Sequence, residues 1–345
     1  MSTLAQHPIE EQLTRWAQAQ YGADARVVDV GPMPGNAGLS YGFTVESEET
    51  SERLVIRLAP PGVQRRGNTD VLRQVPLLNV MKNAGIPTAA VRWSTDDPRW
   101  FGTDVFVQEF VSGAPLHLHK AHLSIKVGKD GIEPLLRRSV QTLVQIHALD
   151  WQSDLPDWEK PRDLAADVNF WRGLQAKAAE PPMGDLAERL AEELLASIPT
   201  QIQVGIFHGD FHTSNIMFDE HGEITAVVDW EISGIGAQLL DLGWLSIFTD
   251  PECWAPDQQQ RMLVKVDPEF LRSEYEAAAG KPATDFLWYK AYACYRFGVI
   301  AAFNLRLHRT GRRVDHHYEE LAQSVFTLLN KGRDLLTEHA VHQRI

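Results

Sequence analysis

Residues 204–245, VGIFHGDFHTSNIMFDEHGEITAVVDWEISGIGAQLLDLGWL, constrain this chain more than any other stretch. Val204, Ile206 and Phe207 form an apolar lead into HGDFHTSN, Ile216, Met217 and Phe218 read as a short buried strand, and Glu220-His221-Gly222 is a turn signal. A second strand, Ile224 to Val228, runs straight into Asp229. Asp210, Asn215 and Asp229 are thereby spaced over two adjacent strands and the loop between them, and these hard oxygen donors suit Mg²⁺ far better than Zn²⁺. Phosphoryl transfer needs such a set, because charge on the transferring oxygens is neutralised by metal and cationic side chains while the reactants are held in position. In that chemistry Asp229 and Asn215 hold Mg²⁺ against nucleotide phosphates, and Asp210 orients an acceptor hydroxyl and takes its proton. Glu231, two residues beyond Asp229 on the same side of an extended segment, touches the metal through water or faces the acceptor.

A length of 345 residues accommodates roughly two domains of ~100 to 200 residues each. The net charge of −13, with no basic stripe interleaved with aromatics, argues against nucleic acid as the main partner. Two cysteines, Cys253 and Cys294, are too few for a secreted disulfide framework, and their spacing matches no zinc site. The N-terminal MSTLAQHPIEEQ lacks the apolar core of a signal peptide, and no apolar run approaches the ~20 residues that span a bilayer. The expectation is a cytoplasmic protein with no membrane partner, present as a monomer or homodimer.

The first third reads as strand-rich and the remainder as helix-rich. Ile9 to Tyr21 has the pattern of an amphipathic helix, and Arg26 to Val30, Tyr41 to Glu46 and Arg53 to Leu58 read as strands. Asp70 to Ala84 has helical periodicity and is stopped by Gly85-Ile86-Pro87; Val91 to Ser94 and Val105 to Val111 complete a five-stranded antiparallel sheet with one helix. Ile132 to Leu149, Phe286 to Leu307 and Tyr318 to Leu336 read as helices, the aromatics Trp288, Tyr289, Tyr292, Tyr295 and Phe297 being core positions. His147, a lone histidine on an apolar helix face, reads as a packing or capping residue. The basic run from Arg306 to Arg313 reads as a solvated helix end in preference to a site for an anionic acceptor, and Glu269, Glu274 and Glu276 fit a solvated helix face and the attraction of a cationic acceptor equally well.

HGDFHTSN, followed by VVDWE and LLDLGW, resembles the aminoglycoside phosphotransferase and choline kinase group of small-molecule kinases. The resemblance implies an α+β, protein-kinase-like, two-lobed fold. Residues 1–111 would be a nucleotide-binding lobe of antiparallel sheet with helices, ending in a hinge, and residues 112–345 a larger, mainly α-helical catalytic and acceptor-binding lobe. It places Asp210 on the catalytic aspartate, Asn215 and Asp229 on the metal ligands, His208 beneath the catalytic loop, and Asp241 on a buried aspartate that binds the loop's backbone amides. In LVIRLAPP it puts Arg57 where a lysine meets the α- and β-phosphates, with Gln74 in place of the helix glutamate that pairs with that lysine. PGNAGLSYGF would cover the phosphates through Ser40 and nearby backbone, Gln108 would be the gatekeeper, and Glu109 and Val111 would meet adenine through main-chain atoms. The implied cofactors are ATP, with GTP as an alternative, and Mg²⁺; the implied partner is a small hydroxylated acceptor that the resemblance does not name.

Two other classes compete. A nucleotide-binding, pseudokinase-like module without turnover is motivated by Gln74 and the irregular phosphate turn, and opposed by the intact Asp210, Asn215 and Asp229. A metal-dependent hydrolase is motivated by the alternation of His208, Asp210 and His212, and opposed by the oxygen-rich Asp229.

Overall fold

In the computed structural model, residues 6–33, 39–117, 125–126, 131–262, 266–267 and 269–343 are described. The first elements in chain order are α1 (Gln6–Tyr21), β1 (Arg26–Pro32), β2 (Leu39–Glu46), β3 (Ser51–Leu58), α2 (Gln74–Asn83), β4 (Val91–Thr95), α3 (Pro98–Phe101) and β5 (Val105–Glu109). After them come β6 (Ala114–Pro115), α4 (Glu133–His147), α5 (Trp151–Asp154), α6 (Leu164–Gln175), α7 (Pro181–Ala196), β7 (Val204–Phe207), β8 (Ile216–Phe218), β9 (Ile224–Val227) and β10 (Gly234–Ala237). The chain ends with α8 (Leu239–Thr249), α9 (Pro256–Arg261), α10 (Phe270–Ala279), α11 (Phe286–Arg309), α12 (His317–Glu320) and α13 (Ala322–His342). The chain divides into two units, Met1–Ser112 with Thr225–Ile232, and Gly113–Ile224 with Ser233–Ile345.

Alternating apolar residues build the first unit. Its five strands lie in the order β1-β2-β3-β5-β4, each pair antiparallel. Successive side chains of a strand point to opposite faces, so Phe43 and Val45, Leu54 and Ile56, and Val105 and Val107 share one face and pack with Ile9, Leu13, Trp16 and Ala17 of α1. Trp16 sits between Phe43 and Trp93, its ring centroid 5.8 Å from each. Val55 and Phe106, pointing the other way, are buried as well, so the central strands are covered on both faces. The segment at 225–232 is tied into this unit by Val227 N–H donating to Pro87 O at 2.9 Å and Thr225 Oγ1 donating to Ser112 O at 2.7 Å.

Two details of the first unit depart from the sequence expectations. The helix expected from Asp70 begins at Gln74, because the Asp70 carboxylate accepts Arg73 N–H at 3.2 Å and holds 70–73 as a turn, while Pro76 fixes the first helical turn. The strand expected to reach Val111 ends at Glu109.

In the second unit, α11 is buried along most of its 24 residues, so its polar tips need partners. Tyr292 donates to Asp167 and accepts from Trp171 Nε1, and Tyr295 donates to Gln175 at 2.8 Å. The expected helix Tyr318 to Leu336 is divided, α12 ending at Glu320 and α13 running from Ala322 to His342. β7 pairs antiparallel with β10, a strand absent from the sequence reading, and β6 pairs antiparallel with β8. Among the described residues no helix is long and apolar enough to cross a membrane.

Truncating Trp16 to alanine should cost about 3–5 kcal/mol of stability, the range for emptying a large core site. Trp16→Phe should cost clearly less, because the buried Trp16 indole N–H has no hydrogen-bond partner to lose. Urea unfolding midpoints of the two variants check the ranking.

Candidate functional site

The loop at 208–215 takes its shape from one buried carboxylate. Asp241 lies in the first turn of α8, fully buried, and accepts His208 N–H on Oδ2 and Gly209 N–H on Oδ1, each at 2.7 Å. His147 Nε2 approaches the same Oδ2 at 3.3 Å, and His147 Nδ1 lies 2.9 Å from Tyr275 Oη. An ionised carboxylate only accepts, so His147 carries its proton on Nε2 and Tyr275 donates to Nδ1. Burial, reinforced by the charge of Asp241, pushes the Tyr275 phenol up and keeps it protonated for that role. The position of Asp241 at a helix N-terminus further favours its charge. Gln238 donates to the His147 carbonyl at 2.5 Å, and its side chain fills the space that a Cβ at Gly205 would occupy.

Asp210 follows directly. Its Oδ1 accepts the Trp244 indole N–H at 2.8 Å, and its Oδ2 accepts Asn215 Nδ2 at 3.1 Å. Asn215 Nδ2 also donates to the Asp210 carbonyl at 3.0 Å, which commits the amide nitrogen and leaves the amide oxygen as the atom able to ligate a metal. Burial by itself would raise the Asp210 carboxyl, but His212 next to it, with Arg296 and His208 farther out, outweighs burial and holds it well below the usual carboxylate range. His208 is fully buried, its Nδ1 accepting Asp210 N–H at 3.1 Å.

The first unit carries a second cluster. Asp229 adopts a left-handed conformation, φ 68°, which aspartate tolerates better than most residues, and Glu231 follows in a tight turn. Arg57 on β3 reaches Asp229 Oδ1 at 3.6 Å and Glu231 Oε2 at 3.4 Å. Ser40 stands directly opposite Arg57 on β2, but residues 34–38 of the turn expected to cover phosphates lie outside the described residues. The carboxylates that pair with Arg57 thus come from the 229–231 segment, whereas Gln74 is buried in the first turn of α2. Gln108 lies on β5, opposite Val55. Glu109 binds Lys82, Arg92 and Ala90 N–H through its carboxylate, and its own N–H donates to Ala90 O at 2.9 Å. That bond occupies the Glu109 amide. Val111 follows the strand, half-buried.

The model of the Phosphotransferase enzyme family matches residues 37–292. The chain belongs to that family. Among solved structures it is similar to a Ralstonia eutropha protein assigned as an aminoglycoside phosphotransferase, with 20% identity, 95% of this chain and 98% of that one covered, and a TM-score of 0.75. It is also similar to a thermostable mutant of aminoglycoside phosphotransferase APH(4)-Ia in ternary complex with AMP-PNP and hygromycin B, with 16% identity, 93% and 98% coverage, and a TM-score of 0.57. These likenesses establish the fold, an antiparallel-sheet unit and a helical unit of the protein-kinase-like class. Among curated proteins, acyl-CoA dehydrogenase family member 10 of Mus musculus is 29% identical over 204 residues, 56% of this chain and 18% of that protein. The chain therefore spans less than a fifth of that relative's length.

Two side chains of this family member were passed over in the sequence: Trp244 and Arg296. Trp244 lies three residues after Asp241, so α8 carries both on neighbouring positions of one face. Arg296 is a lone charge within the aromatic run AYACYRFG, and that isolation was the readable signal. The acidic residues Glu274 and Glu276 are engaged by Arg137 and Arg272, in keeping with an ion-paired helix surface. Among the described residues no group of three His, Cys, Asp or Glu could hold a metal, so the alternation of His208, Asp210 and His212 makes no such cluster.

Asp241→Asn should destabilise the protein by about 3 kcal/mol or more, because two hydrogen bonds to a charged group, worth about 1.5–3 kcal/mol each, lose strength or partner. Tyr275→Phe, which removes only the outermost link, should cost about 1 kcal/mol. Denaturant titrations compare the two.

Proposed function

We propose that this enzyme transfers the γ-phosphoryl group of ATP to a hydroxyl group of a small molecule, with Asp210 receiving the hydroxyl. The observation that carries this reading is the state of Asp210: an ionised carboxylate, partly open to solvent, with one oxygen held by Trp244 and the other by Asn215. A carboxylate so fixed can accept a hydrogen bond from an alcohol and point its oxygen at the phosphoryl group, the proton moving to Asp210. The ternary complex of an APH(4)-Ia mutant with AMP-PNP and hygromycin B supports the pairing of a nucleotide with a small-molecule acceptor here.

The donor set fits Mg²⁺. In the second unit Asn215 offers an amide oxygen, and in the first unit Asp229 offers a carboxylate that is 39% exposed; each is a hard oxygen ligand of the kind that would hold Mg²⁺. When bound, the metal neutralises phosphate charge and aligns the nucleotide. Arg57 would add a fixed cation near the phosphates, Ser40 and nearby backbone a contact to them, and Glu109 and Val111 a main-chain edge for the base, with Gln108 beside it. Asp241 and His208 keep the loop in shape without touching substrate.

One observation favours a second reading, a nucleotide-binding module without turnover. Arg57 sits on Asp229 and Glu231, and such a pairing competes with metal for the carboxylate. Mg²⁺-dependent ADP release separates the two.

ADP release should be measured against a panel of hydroxylated metabolites and antibiotics. Asp210→Asn should lower acceptor-dependent kcat by about 10²–10⁴-fold while nucleotide binding persists. Asp229→Asn, which tolerates the same left-handed backbone, should abolish the Mg²⁺ dependence of nucleotide binding. Unchanged Mg²⁺-dependent turnover in Asp229→Asn would sink the metal assignment.

A further inference from the structure

Arg296 is an expensive residue to keep where it is. It lies on α11 with 8% exposure, and burying a guanidinium forfeits several kcal/mol of hydration unless its surroundings compensate. The compensation is incomplete, since Arg296 Nε is buried with no hydrogen-bond partner. What the guanidinium does touch is specific. Its Nη1 donates to Gly209 O at 2.7 Å, the carbonyl immediately before Asp210. Its carbon lies 4.4 Å from the centroid of the Trp244 ring and 5.2 Å from that of Trp171. Trp244, in turn, donates its indole N–H to Asp210 Oδ1 at 2.8 Å. One buried cation therefore grips both supports of the same aspartate, its backbone and its hydrogen-bond donor.

We propose that Arg296 and Trp244 are positioning residues for phosphoryl transfer, Arg296 clamping the Gly209 carbonyl and the Trp244 indole so that the indole N–H immobilises Asp210 and directs the acceptor hydroxyl to Oδ2. This rests on the phosphotransfer reading of Asp210. With Oδ1 committed to Trp244 and His212 Nε2 a further 3.5 Å from it, Oδ2 is the oxygen that Asn215 steadies and the acceptor meets. Free rotation of the carboxylate would spread it over orientations that do not react, so the clamp acts on turnover and leaves nucleotide binding alone.

Two measurements test the clamp. In the first, ADP release from Mg·ATP with water as the acceptor is followed for wild type, Trp244→Phe, Arg296→Met, Arg296→Lys and the double variant Trp244→Phe/Arg296→Met. Trp244→Phe keeps a ring beneath Arg296 and deletes only the donor. Its kcat should fall about tenfold with the KM for ATP unchanged within twofold, the pattern of a lost transition-state contact. Arg296→Met should fall comparably, Arg296→Lys should recover part of the loss, and the double variant should be no slower than the worse single variant, as for residues acting as one unit. A wild-type kcat in Trp244→Phe, or losses that multiply in the double variant, overturns the proposal. In the second, the ¹⁵N–¹H resonance of the Trp244 indole is identified as the signal missing in Trp244→Phe. In Asp210→Ala and Arg296→Met it should move upfield and exchange with solvent about tenfold faster; an unmoved resonance in Arg296→Met overturns the clamp. Should wild type release no ADP with water or with any acceptor of the panel, the phosphotransfer reading fails and the indole resonance still decides the contact. Should Arg296→Met not fold, Arg296→Lys carries the resonance measurement.

Discussion

The buried Asp241 carboxylate is the interaction on which the second unit's functional loop depends. Two backbone N–H groups at the turn after β7 would otherwise be stranded away from water, and Asp241 satisfies both at 2.7 Å. A buried charge is itself costly, and it is tolerated here because a helix N-terminus, two amides and the His147–Tyr275 relay all stabilise it. The arrangement is circular in a useful sense: the loop needs the charge, and the charge needs the loop. Asp210 inherits its location from that closure, which fixes the residue immediately before it.

From there the constraint spreads through α8 and α11. Asp241 and Trp244 share one face of α8, so fixing the first also places the indole over Asp210. The two helices approach so closely that a Cβ at Gly243 would come within 2.5 Å of the Tyr289 carbonyl oxygen, and this proximity lets Arg296 reach both Gly209 and Trp244. In the first unit the analogous theme is a cation meeting carboxylates: Arg57, projecting from the central strand β3, is neutralised by Asp229 and Glu231. A segment far along the sequence thus completes the charge balance of the unit formed by the first hundred residues.

Much of the fold was legible because its periodicities are local. The strands of the sheet are short apolar runs bounded by turn residues, the central β3 and β5 buried on both faces, and the helices α1, α4 and α11 carry long apolar faces, so their existence was readable locally and only their ends shifted. The start of α2 was misplaced because a side chain, Asp70, caps a turn that mimics helical periodicity. β10 was missed because the glycine-rich GIGA has little strand propensity and is held by pairing with β7. Gln74 drew attention as a substitution in a familiar position, yet the carboxylates at Arg57 come from residues more than 150 positions away, a distance no local pattern reports.

By itself the sequence determined the chemistry of the donor set, the order of strands and helices, and the resemblance to small-molecule kinases, because residue type and short-range spacing are properties of a linear chain. Only the tertiary structure decided the supports: that Trp244 holds one oxygen of Asp210 and Asn215 the other, that Arg296 grips the backbone beside it, and that Arg57 pairs with Asp229 and Glu231. Apart from the Asn215 contact, they join residues 34 to 174 positions apart. They form because burying apolar helix and sheet faces brings these polar groups out of water together, where each must find a partner or pay the full cost of desolvation.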